Sequence, residues 1–74
     1  MELISLLDVV ALLEDVPEQN LQRGEVGTVV EIFAATPKRP GAYLVEFSDR
    51  NGIPYTMAAL PVGQLMPLYY REAA

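Results

Sequence analysis

Turn-forming residues recur along this sequence every eight to twelve positions, and the apolar runs between them are short. That punctuation leaves little room for packed helices and favours a small all-β barrel or sandwich. The clearest run is Glu25-Val26-Gly27-Thr28-Val29-Val30-Glu31-Ile32-Phe33. Read with period two, Val26, Thr28, Val30 and Ile32 fall on one face and Val29, Glu31 and Phe33 on the other. Gly27 inside the run marks a bulge or a close approach of a neighbouring backbone. Ala42-Tyr43-Leu44-Val45-Glu46-Phe47-Ser48 alternates too, with Tyr43, Val45 and Phe47 as its core face. Asp49-Arg50-Asn51-Gly52 then supplies a hairpin turn. Ile53 to Leu60 returns as the next strand, and Pro54 near its start implies an edge position or a bulge.

The two ends of the chain are less regular. Asp8-Val9-Val10-Ala11-Leu12-Leu13 reads as a first buried strand because Val9 and Val10 are β-branched. A helix from Ile4 to Glu14 is the competing reading, since Leu and Ala are good helix formers. Residues 14–24 form one long early loop, in which Pro17 cannot join a ladder and Leu21 is expected to fold back over the core. Ala34 to Gly41 holds Pro37, Pro40 and Gly41 and forms an exposed hairpin tip. Pro61 to Leu65 forms a 3₁₀ turn, and Met66 to Tyr70 a short last strand. The expected fold is therefore a single domain over 1–74, with its core at about residues 7–70: five short strands, a long early loop, and a 3₁₀ turn before the last strand.

Composition narrows the chemistry. The chain has 74 residues, 51% of them hydrophobic, with no cysteine and no histidine. Disulfides, thiolate metal sites and the commonest general base are thereby excluded. Net charge is −5, with ten acidic and five basic residues. That balance disfavours nucleic acid, which usually selects a basic face, and suits a protein partner with a basic surface. No segment reaches the roughly 18 apolar residues of a membrane span. The first residues carry Glu2 where a signal peptide carries positive charge, so the expected location is cytoplasmic, with no membrane partner.

Three stretches carry a family resemblance: Leu7 to Asp15, Arg23 to Glu31, and Tyr43 to Asp49 with Gly52. Their order and spacing resemble a family of small bacterial proteins, common in cyanobacteria, catalogued only as a domain of unknown function. The resemblance covers about residues 6–70. It implies an SH3-like barrel, related in shape to the β-subunit domain of nitrile hydratase and to KOW-type domains. It also implies an antitoxin or immunity role, because some members sit beside toxin-like genes. The segment Thr36-Pro37-Lys38-Arg39-Pro40 is longer than the usual hairpin tip of that pattern.

No catalytic site, cofactor site or metal site is expected. The hydroxyl residues have no His or Cys to activate them, and the only lysine is Lys38. Glu14, Asp15 and Glu18 cluster in the long loop without the dense oxygen spacing of a calcium loop. They are read as a recognition patch, with Tyr69 or Tyr70 as its aromatic anchor. Those two tyrosines are adjacent in the expected last strand and so point to opposite faces. The function expected is a non-catalytic protein-binding module, of the kind that neutralises a toxin or enzyme. The alternative is a KOW-like nucleic-acid-binding accessory protein, using Lys38, Arg39 and Arg50 at one end of the barrel. A homo-oligomer built by edge-strand pairing is a third reading.

Overall fold

The computed structural model describes residues 4–69. Five strands run in chain order: β1 (Val9–Leu12), β2 (Val26–Phe33), β3 (Ala42–Ser48), β4 (Pro54–Leu60) and β5 (Leu65–Pro67). All pairings are antiparallel, and the sheet order is β4-β3-β2-β1-β5. The domain is all-β, with 3₁₀ turns at Pro17–Gln19 and Val62–Gln64. The second of these directly precedes β5, as the proline and glycine spacing predicted. The helix considered for residues 4–14 is absent; Leu6 and Leu7 form a turn that leads into β1.

The sheet curls around one core. Val10 and Leu12 from β1, Val29 from β2, Val45 and Phe47 from β3, Ala58 and Leu60 from β4, and Leu65 from β5 pack together. β4 and β5 are not paired with each other, so the sheet keeps two edges, and Leu60 of β4 and Leu65 of β5 both join the one core. Leu21 is buried to 2% exposure, which confirms its expected role as a lid. Reciprocal backbone bonds of 2.9 and 3.1 Å between Val16 and Leu21 tie the loop into a closed lobe and bring both apolar side chains inward.

The alternation expected of β2 is corrected by a bulge. Val29 pairs with Val45, but Glu31 pairs with Leu44, so Val30 is the extra residue. Inserting one residue flips every later side chain to the other face. Ile32 therefore shares the inner side with Gly27 and Val29, opposite Tyr43, while Glu31 turns outward. Without the bulge, Glu31 would point at the core. Gly27 is not the bulge. It is a close approach: a Cβ there would lie 2.6 Å from Val45 Cγ1 and 2.8 Å from the Glu46 carbonyl oxygen.

β4 satisfies both readings of Pro54. It is an edge strand, and a second register shift makes Tyr55 its extra residue. The turn before it is held by Asp49, whose Oδ1 accepts the backbone N–H of Asn51 (2.9 Å) and Ile53 (3.0 Å). Gly52 there has φ of 79°, a conformation that favours glycine. β5 ends at Pro67, earlier than expected, which places Tyr69 beyond the strand.

Candidate interaction surface

The long loop spends two of its three acids on its own architecture. Asp15 Oδ1 accepts the Arg23 backbone N–H at 2.8 Å, across the base of the loop. Glu14 Oε1 accepts from Gln64 Nε2 at 3.0 Å, which pins the loop to the second 3₁₀ turn. Glu18 lies in the first 3₁₀ turn and is exposed. Tyr69 is 70% exposed but sits at the other end of β1. Leu13 donates to the Gln64 carbonyl at one end of that strand and Leu68 to the Val9 carbonyl at the other. At the usual strand rise those ends are about 13 Å apart. The three acids and Tyr69 therefore do not form one patch. Tyr70 lies outside the described residues.

The cations expected at one end of the barrel are also separated. Lys38 and Arg39 occupy the β2–β3 tip, and Arg50 the β3–β4 turn. Successive hairpins of a meander turn at opposite ends, and β3 holds these two turns about 20 Å apart. The reading that groups Arg50 with Lys38 and Arg39 is corrected on that ground. Lys38 and Arg39 themselves stand on a well-formed turn, closed by Thr36 N–H to Arg39 O at 2.9 Å and Arg39 N–H to Thr36 O at 3.2 Å.

An apolar notch of about 330 Å³ lies at the root of that hairpin arm, a feature that sequence reading missed. Ile32, Phe33 and Tyr43 line it from the sheet, and Pro61 and Val62 from the second 3₁₀ turn. Ile32, Phe33 and Val62 are 46%, 38% and 51% exposed. The bulge at Val30 creates this notch by turning Ile32 to the inner side at a point where the core has run out. The arm beyond it is exposed from Ala34 to Pro40.

A second groove, of about 490 Å³, lies near the far end of β3 and is lined by Glu25, Thr28, Asp49, Arg50 and Tyr55. Tyr55 donates its hydroxyl to Glu25 Oε1. Glu25 Oε2 also accepts the Gln22 backbone N–H at 2.5 Å. The bond to the carboxylate, then partial burial and the negative charges of Glu25 and Asp49, push the Tyr55 hydroxyl up to about 12. Raised above its unfolded value of about 10, it contributes stability that is complete below pH 10 and lost as pH rises towards 12. An ultraviolet tyrosine titration is expected to show one late step, missing in Tyr55→Phe. A late step that persists in Tyr55→Phe, or none in the wild type, contradicts the Glu25 bond.

Among the described residues no group of three or more acidic, histidine or cysteine side chains could hold a metal ion. No described helix is long and apolar enough to cross a membrane. No curated protein and no solved structure matches the chain. A family model does match, over residues 6–67, and the loop, bulged hairpin and edge strand described above all lie within that span. The chain belongs to the family described as Domain of unknown function (DUF4926).

Proposed function

We propose that this chain is a non-catalytic protein-binding module, acting as the neutralising partner of a toxin or enzyme. The notch at the root of the hairpin arm carries the reading. Ile32 and Phe33 of the bulged strand and Val62 of the second 3₁₀ turn stay about half exposed beside a protruding arm. Such a concave apolar surface is where interface anchors seat. The neutralising role follows the family resemblance. The acid-rich chain, with net charge −5, favours a partner with a basic surface.

Capture from native cell extract is expected to recover a stoichiometric protein. With that protein in hand, Glu18→Lys, at an exposed acid of the long loop, should slow association by roughly three- to tenfold and leave dissociation nearly unchanged, because exposed charges outside the buried contact mainly steer encounter. The double variant Ile32→Ser, Val62→Ser should instead speed dissociation by roughly tenfold or more. Binding kinetics that ignore both changes would rule out this surface. Nucleic-acid contact through Lys38 and Arg39 is the second reading, favoured by their rigid turn. It requires salt-dependent binding of RNA or DNA, and no gel shift at low salt would end it.

A further inference from the structure

We infer that β4 is a homodimerisation edge, pairing antiparallel with β4 of a second copy about a two-fold axis at Ala58. Three observations carry this. First, β4 ends the sheet, and none of its seven residues is charged. Natural edges of that length are usually guarded by lysine, proline or a bulge. Here Pro54 and the Tyr55 bulge guard only the start, leaving Thr56–Leu60 regular. Second, Tyr55 leans away from the edge. Its hydroxyl reaches Glu25, which lies just before β2 across β3, so its ring does not cover the edge backbone.

Third, charge selects the occupant. A highly charged peptide finds no counter-charge on β4, whereas a second copy brings an equally neutral strand. Of the two sheet edges, β4 is the long one and carries no charged residue, so two copies of this acidic chain can meet there without setting acids face to face. The acids beside β4 are Glu25, which accepts the Tyr55 hydroxyl at the guarded start, and Glu46 of β3, paired with Met57 in the regular part. Across the dimer the two Glu46 side chains stand at least three strand spacings apart, about 14 Å. That exceeds the screening length of about 8 Å at physiological salt. An axis at Ala58 sets Met57 against Ala59 of the other copy, twice, so each large side chain lies beside a small one. Both Met57 and Ala59 face outward and are exposed. The other edge, β5, has three residues and ends in Pro67. Pairing therefore closes at two copies and does not propagate. Ala59 also lines a groove with Phe33 and Arg39, so this edge adjoins the notch, but dimerisation is read on the chain alone and its failure leaves the proposed function untouched.

Analytical ultracentrifugation of the whole chain from micromolar to millimolar concentration tests it. The wild type should pass from monomer to dimer. Met57→Lys with Ala59→Lys should raise the midpoint by roughly tenfold or more, because lysines then oppose one another across the axis. Circular dichroism on the same samples checks that the variant keeps the native fold. Nuclear Overhauser contacts between Met57 and Ala59 methyl groups, in mixed labelled and unlabelled protein, should identify the register. A wild type that stays monomeric, a dimer indifferent to the two lysines, or a dimer lacking that contact overturns the inference.

Discussion

Phe47→Ala is expected to leave the domain largely unfolded at room temperature. Phe47 is fully buried, with 0% exposure, and is the largest of the wholly buried side chains. It sits mid-sheet, with Gly27 of β2 on one side and Thr56 of β4 on the other. Truncating a buried phenylalanine costs about 3–5 kcal/mol in lost transfer energy plus the cavity left behind. A core in a chain this short rarely supplies more than about 3–5 kcal/mol in total. No disulfide adds to that, because the chain has no cysteine. The loss is therefore of the same size as the whole stability. Thermal and urea unfolding followed by circular dichroism check it. A variant that melts within about 5 °C of the wild type would show that the core is distributed differently. Phe47→Leu should retain a folded state, since it keeps most of the volume.

Gly27→Ala is expected to destabilise the sheet more than an added methyl at any of the other glycines with a negative φ. Its Cβ would meet Val45 Cγ1 at 2.6 Å and the Glu46 carbonyl oxygen at 2.8 Å, and the second of these is backbone. A side chain can rotate away, but a ladder carbonyl cannot move without disturbing the β2–β3 pairing. About 3 kcal/mol, the upper end of ordinary overpacking, is expected. Val45→Ala placed beside it should recover part of the loss, because it removes one of the two clashes. The double variant should therefore be less destabilised than the two single effects added together. Strict additivity would show that the Glu46 carbonyl alone sets the cost.

The positions of these two residues were legible to different degrees. Phe47 as core followed from the alternation of Tyr43, Val45 and Phe47, which holds because β3 has no bulge in its own chain. Gly27 stands out in the sequence as a special position, but whether it makes a bulge or a close approach depends on which strand lies across from it. β2 shows the limit more sharply. Both of its faces are apolar enough to bury, so alternation alone could not choose between them. The extra residue at Val30 then changed the choice midway. Lys38 and Arg39 stand apart from Arg50 for a simpler reason: in a meander, successive hairpins must turn at opposite ends. That rule was available from strand order alone.

The site residues divided in the same way. Glu14, Asp15 and Glu18 are neighbours in sequence, and a loop acid looks the same whether it faces a partner or its own backbone. Only the fold brings Arg23 N–H to Asp15 and Gln64 to Glu14, leaving Glu18 exposed without those duties. The notch left no trace in sequence, because Ile32, Phe33 and Val62 are ordinary core residue types until the sheet ends beneath them.

Residue order by itself determined the local structure: where strands begin and end to within a few positions, where the turns fall, and that Leu21 closes the core. Those features depend on side-chain shape and backbone freedom within a few residues, which a sequence states outright. Tertiary structure alone decided which face of β2 turns inward after its bulge, which acids are already engaged, and what lies across from Gly27. Each of these depends on contacts between residues far apart in the chain. A single inserted residue or one neighbouring strand is enough to reverse them.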